Sequence, residues 1–389
     1  MKQLLLFDGT ERKKLLPFTF ARSVSSIRTG IYTIKEKWEK ISNVEVFTKT
    51  EDYLQNKYPL NLKGETLYIN GSILPDKSLW DSIQQLDLYE GIMINNEKLI
   101  FLTDNHDSNI ESIKNWKNYT SPVLKIENLW DIFVLNGKAI EQDISLFHQN
   151  FSENNLPGVQ LSGKHPLIVE EGGIVRAFSI NTEAGPVFIG KNAEIMEGAL
   201  IRGPFALLEK AVVKMGAKIY GATTVGPHSK VGGELNNVII QAYSNKAHDG
   251  FLGNSVIGEW CNLGADTNCS NLKNNYGNVS IWSYEEKKMI DTKMQFCGLF
   301  MGDHSKCGIN TMFNTGTVVG FSANIFGGGF PEKFLPSYSW GGIGGFSEYN
   351  PEKAFETMKI VMSRRNISFT ESDKDIFLNI FEQTKINRS

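Results

Sequence analysis

Between Ile189 and Asn236 an aliphatic side chain recurs every sixth residue, at Ile189, Ile195, Ile201, Leu207, Val213, Ile219, Val225 and Val231. A small residue follows four places later at Ala193, Ala199, Ala211, Ala217, Thr223 and Ser229, with Phe205 and Leu235 as the exceptions. This period fits neither a helix, which repeats at about 3.6, nor a single strand, which repeats at about 2. It fits a short strand and a turn, stacked coil upon coil as a parallel β-helix. Three such faces close one triangular coil, with the aliphatic residue inside and the small one at the corner. The pattern returns at Phe251–Asn268, with Ser255, Cys261 and Thr267 at the corner, and at Met301–Asn324, with Ser305, Thr311, Thr317 and Ala323 there. Insertions in a solenoid leave the stack as loops on one face and often carry binding. Loops are therefore expected at Asn236–Gly250 and Cys269–Gly298.

The N-terminal half alternates strand and helix patterns. Lys2–Phe7, Val44–Thr48 and Thr66–Asn70 read as strands; Ile34–Ile41, Glu51–Tyr58 and Ser78–Leu86 read as helices. Ile92–Leu102 reads as a hairpin turning at Asn95-Asn96. Past the coil, Asn350 and Pro351 start a helix to Ser363, and Thr370 caps a second over Glu371–Ile386. The expected division is an α/β domain over 1–155, a β-solenoid over 156–330 and a helical extension over 331–389, with the first boundary between Asn150 and Gly163.

Charge narrows the partners. Lys plus Arg number 40 against 43 Asp plus Glu, so the net charge of -3 argues against nucleic-acid binding. No segment has the pattern of a membrane span or a signal peptide, and a cytoplasmic location is expected. Cys261, Cys269, Cys297 and Cys307 form no CxxC pair, which points to neither a zinc site nor a disulfide framework. Among His106, His148, His165, His228, His248 and His304 no two stand five residues apart, the spacing with which γ-class carbonic anhydrases hold zinc on a similar coil.

Three stretches could carry chemistry. In Leu6–Arg28 a glycine follows a strand amid Arg12, Lys13, Lys14, Arg22 and Arg28, a setting that favours phosphate. Tyr243–Gly253 contains His248, whose ordinary pKa of ~6.5 suits it to take a proton from an attacking amine. Trp260–Asn278 is rich in asparagines, which both donate and accept, as sugar hydroxyls require.

The chain resembles the left-handed β-helix acyltransferases. More closely, it resembles the bifunctional family that makes UDP-N-acetylglucosamine, in a divergent branch found in Bacteroidetes. The strings LLLFDGTERKKLLPFTFAR, LYINGSILP, GPVFIGKNAEI, SNKAHDGFLGNSVIGEWCNLGADTNCSNLKNNYG and MGDHSKCGINTMFNTGTVVG carry the resemblance. It implies a nucleotidyltransferase-like α/β domain followed by a left-handed parallel β-helix, assembled as a homotrimer. It also implies small-molecule substrates: a sugar phosphate (glucosamine 1-phosphate), acetyl-CoA and UTP. The acetyltransferase base falls on His248, the sugar contacts on Lys246 and Asn262, and the acetyl-CoA contacts on Asn271, Gly264 and Ala265. Phe251 and Leu272 stand where the family has tyrosines. The nucleotide contacts fall on Gly9, Thr10, Arg12, Lys13 and Arg22, and the Mg²⁺ position on Asn70, where the family has an aspartate. Two other readings are a nucleotidyltransferase whose coil only trimerises it, and a non-catalytic sugar-nucleotide-binding regulator.

Overall fold

The computed structural model describes residues 3–106, 110–148 and 156–388. Strands β1 (Gln3–Phe7), β2 (Val46–Lys49), β3 (Thr66–Asn70), β4 (Glu90–Ile94), β5 (Glu97–Thr103) and β6 (Asn115–Tyr119) form one sheet in the order β2-β1-β3-β5-β4-β6. β1 is parallel to both β2 and β3, whereas β5 is antiparallel to β3 and β4. The β4–β5 turn is the expected one: Asn95 and Asn96 both have positive φ, as a two-residue type I′ turn needs. Helix α1 (Ile34–Ser42) begins in a capping box between Thr33 and Glu36. Helix α2 (Asp52–Gln55) is shorter than its apolar spacing suggests, and α3 (Lys77–Ile83) is capped by Asp76. β6, α4 (Asp131–Val134) and α5 (Asn136–Phe147) add to the expected elements. β6 is a largely exposed edge strand, so its sequence lacks the alternation that betrays a half-buried one.

The second half is the parallel β-helix that the hexads imply, of the left-handed kind expected from the resemblance. Face 1 stacks 160–162, 179–181, 200–202, 218–220, 234–236 and 251–253; face 2 stacks 167–169, 187–189, 205–207, 223–225, the latter half of 234–242 and of 251–259, then 300–301, 318–319 and 334–335. Face 3 stacks 174–175, 194–195, 212–213, 230–231, 245–246, 262–263, 306–307, 324–325 and 339–342. All eight aliphatic positions from Ile189 to Val231 are buried, and so are the small corner residues beside them. The coil starts at Gln160, earlier than the hexads show, because the turns before Ile189 vary in length and break the period.

The two expected loops differ. Asn236–Gly250 stays in the stack: Glu234–Ala242 runs unbroken from face 1 to face 2, and Asn245–Lys246 continues on face 3. The slip of phase comes from a shorter turn, and no loop leaves the stack. The segment 270–298 does leave it. It carries an antiparallel hairpin of Ser280–Ser283 with Lys288–Asp291, whose Ile281 joins the core of the N-terminal sheet and whose Tyr284 meets Phe20 edge-on.

Face 2 is covered from end to end by the N-terminal part. Ile239, Val256, Phe300 and Val318 lie in one core with Leu4, Trp38, Ile69 and Phe133. Asn136 accepts from the Gly30 N–H at 2.7 Å and from Thr224 Oγ1 at 3.0 Å, and donates to the Ala222 carbonyl at 2.7 Å. Gln241 both accepts from and donates to the backbone of Arg28. Helices α6 (Pro351–Ser363) and α7 (Glu371–Gln383), capped by Asn350 and Thr370 as expected, pack beside the corner between faces 2 and 3. There Phe377 meets His304 and Phe321, and Tyr338 donates to its carbonyl at 2.9 Å. Of the expected boundary at 150–163, residues 150–155 fall outside the described residues. No described helix is long and apolar enough to cross a membrane.

Candidate active site

A cleft of about 680 Å³ runs between face 3 and the end of α6. Parallel pairing puts Lys230 beside Asn245, Asn245 beside Asn262 and Asn262 beside Lys306 on the outer surface of face 3, because each precedes an inward residue in its own coil. Val361, Arg364 and Arg365 form the opposite wall. One end is closed by Tyr243 and Trp260, stacked 4.2 Å apart; at the other lie Ala247, His248, Gly264, Ala265 and Ile309.

His248 stands on the corner between faces 3 and 1, exposed, and its imidazole makes no hydrogen bond among the described residues. It is therefore open to a substrate. Gly264 sits one coil on, where a Cβ would come within 2.4 Å of the Gly308 backbone, so only glycine lets the coils close there. Its N–H is spent on the Cys307 carbonyl at 3.1 Å. The N–H of Ala265, by contrast, makes no hydrogen bond among the described residues. The structure thus brings His248, Asn262, Gly264 and Ala265 to one cleft.

Lys246 and Asn271 are placed elsewhere. Lys246 occupies an inward rung, paired with Val231, and is 1 % exposed. Its ammonium donates to the carbonyls of His248 at 2.5 Å, Asp249 at 2.7 Å and Gly232 at 3.3 Å, and burial pushes its pKa down to about 8. A side chain so committed ties the His248 turn from beneath and does not reach a sugar phosphate in the cleft. Asn271 lies at the far corner of face 1, donating to Asn254 at 2.8 Å.

The N-terminal motif forms a second depression of about 650 Å³ beyond the carboxyl ends of β1 and β2, lined by Asp8, Gly9, Arg12, Lys49, Thr50, Glu51 and Asp52 among others. Open α/β sheets bind ligands at this end, where the strand order reverses about β1. Gly9 is there, but its N–H donates to the buried carboxylate of Glu11 at 3.2 Å. Arg12 is buried, its guanidinium held by Asp8 at 2.7 Å, Arg22 O at 3.0 Å, Tyr53 Oη at 3.2 Å and the Thr19 carbonyl. Arg22 reaches across to the coil and pairs with Asp303 at 2.7 Å. Both guanidiniums are thus engaged within the protein: Arg12 still lines the depression, whereas Arg22 lies outside its lining. Thr10 and Lys13 remain exposed. Asn70 is buried, and its Oδ1 accepts from Ser72 N at 2.9 Å and Ser72 Oγ at 2.6 Å. With both lone pairs occupied, it does not fit the expected Mg²⁺ seat.

Sequence reasoning missed Lys230 and Lys306, although the hexads contain the signal: both immediately precede inward residues on one face. Arg364 and Arg365 had no local signal, since only the packing of α6 brings them to the coil.

Residues 4–151 match the family model described as sugar nucleotidyl transferase. The bifunctional protein GlmU of Methanococcus aeolicus is 27% identical over 303 residues, covering 68% of this chain and 71% of that protein. A bifunctional sugar-1-phosphate nucleotidylyltransferase/acetyltransferase of Sulfurisphaera tokodaii is 30% identical over 37% of this chain and 36% of its own length. Among solved structures, the polySia-specific acetyltransferase NeuO matches 49% of this chain and 86% of its own, at 16% identity and a TM-score of 0.20. The chain thus joins a nucleotidyltransferase-like domain to a parallel β-helix, and across both it is similar to bifunctional nucleotidyl- and acetyltransferases.

Proposed function

We propose that the cleft on face 3 transfers an acetyl group from acetyl-CoA to the amine of a sugar phosphate, glucosamine 1-phosphate being the substrate assigned. The observation that carries this is the free imidazole of His248 opening into the same cleft as Asn262 and the unspent N–H of Ala265. The chain is in this reading an enzyme of UDP-N-acetylglucosamine synthesis. His248 takes the proton that the amine loses as its nitrogen attacks the thioester carbon. The Ala265 N–H is the donor offered to the oxyanion, and Asn262 holds sugar hydroxyls. A C–N bond forms, the C–S bond breaks, and the thiolate leaves with the proton held by His248.

A homotrimer belongs to the same reading. Phe178, Met215, Ile309 and Phe326 are exposed along the corner that carries His248, an apolar edge suited to a second copy. Asn271, remote from the cleft of its own chain, would serve acetyl-CoA from a neighbouring one. The thiols of Cys261, Cys269, Cys297 and Cys307 are all free, which supports a reducing compartment, the cytoplasm.

The match of residues 4–151 favours a second activity, uridylyl transfer from UTP, in the depression beside Gly9. Of the cations there Lys49 is exposed and offers itself to phosphates, whereas Thr10 is exposed next to Gly9 and Lys13 lines a separate depression with Glu51 and Tyr53. A mass-resolved assay with glucosamine 1-phosphate, acetyl-CoA and UTP together tests both, because each activity leaves its own product. His248→Ala is expected to abolish N-acetylation and leave nucleotidyl transfer intact. Full N-acetylation by that variant removes His248 as the base. Absence of pyrophosphate release from UTP with any divalent ion leaves the acyl transferase alone.

A further inference from the structure

We infer that helix α6 completes the cleft as a clamp for a phosphate ester. Lys230 and Lys306 flank the Asn245–Asn262 rungs on face 3, and Arg364 and Arg365 face them from the end of α6. The lining of the cleft includes no aspartate or glutamate. Among the described residues none of these cations enters an ion pair, although most other arginines of the chain do. Lys306 Nζ has only the His304 carbonyl at 2.9 Å, and Arg365 only the His228 carbonyl at 3.3 Å, so most of their donors are unspent.

Like charges converging without a counterion repel one another, and the cost rises as the wall excludes water. The C-terminal end of a helix attracts basic residues on its own account, which explains part of Arg364 and Arg365. It does not explain Lys230 and Lys306, which belong to separate coils and face the same space. A dianionic phosphate satisfies all of them, with the arginine forks giving it direction. The amides of Asn245 and Asn262 beside them are suited to the neutral part of the ligand. The helical extension thereby acquires a role in recognition.

Two phosphate esters fit this chemistry, coenzyme A and an amino-sugar phosphate. The inference rests on the acyl-transfer reading for its choice of ligands, but it is measured by binding, without turnover. Calorimetric titration would use coenzyme A and glucosamine 1-phosphate, with pantetheine and glucosamine as phosphate-free counterparts. The proteins are the full chain, the double variant Arg364→Ala/Arg365→Ala, and Lys230→Ala. These partly exposed positions leave the fold intact, which thermal melting verifies.

The expected result is a loss of at least about ten-fold in affinity for one of the two phosphate ligands in both variants. The phosphate-free counterpart should be unchanged, and the ligand affected identifies the source of the phosphate. Wild-type affinity for both phosphate ligands in the variants overturns the clamp. Equal weakening of the phosphate-free counterparts does so too, as does an unmodified chain that binds neither phosphate ligand. The variant His248→Ala separates the two ideas: it should bind as the wild type does while turnover disappears. If it turns over normally the base is misassigned, and the clamp is still decided by the titrations.

Discussion

Replacing Lys246 by methionine should separate stability from activity. The side chain lies inside the coil, where neighbouring rungs carry Val231 and Leu263, so methionine suits the space as well as the surroundings. The ammonium's pKa falls from 10.5 to about 8, a gap worth roughly 3 kcal/mol at ~1.36 kcal/mol per unit, so the charge is costly to bury. Against this stand its hydrogen bonds to three carbonyls, of which those of His248 and Asp249 belong to an exposed turn and can turn to water once it is gone. Relief and loss nearly cancel, and the melting temperature at pH 7 should stay level or rise. The turn carrying His248 is then untied from below, and a misplacement of about 1 Å costs a reaction on the order of 100-fold. Acetyl transfer should therefore fall about 10- to 100-fold in kcat.

The same logic fixes a pH dependence. Between pH 8 and 10.5 the unfolded lysine holds its proton while the folded one has lost it, so stability relative to Lys246→Met rises with pH across that window. Below pH 8 both states are protonated and the difference is flat. Melting curves from pH 7 to 10.5, paired with acetyl-transfer kinetics, measure both effects. A variant with wild-type kcat, or one whose melting temperature and activity fall together, refutes the idea that Lys246 acts by positioning the turn.

Asn136→Ala leaves the Gly30 N–H buried without its partner and takes one donor from the half-buried Ala222 carbonyl, and should lower unfolding free energy by about 1–3 kcal/mol in urea titration. Arg22→Met strands the Asp303 carboxylate at the seam, with an expected loss of about 3–5 kcal/mol by the same measurement. Gly264→Val pushes a side chain into the Gly308 backbone; a fall of about 1–3 kcal/mol in stability, accompanied by lost acetyl transfer, is expected.

The coil was legible because its rule is local: Ile189 to Val231 obey one period, and every one of them is buried. His248, Asn262, Gly264 and Ala265 converge because they lie on successive coils, so a linear phase becomes a spatial neighbourhood. Lys246 shows the limit of such reading. It immediately precedes Ala247 and His248, yet its phase in the coil points it inward, which a broken hexad concealed. Arg12 and Arg22 show another limit: a basic cluster in sequence does not disclose that Asp8 and Asp303 will claim it. Arg364 and Arg365 reach the cleft only through tertiary packing, which no period encodes.

The continuity of the core beneath face 2 has a consequence for how such a chain could be dissected. Its two halves look like interchangeable modules, but Ile239, Val256, Phe300 and Val318 are shared property of both. Cutting the chain between them would leave a greasy wall on each fragment. Neither piece should be recoverable as a well-behaved protein, and mixing the two should restore what each lacks.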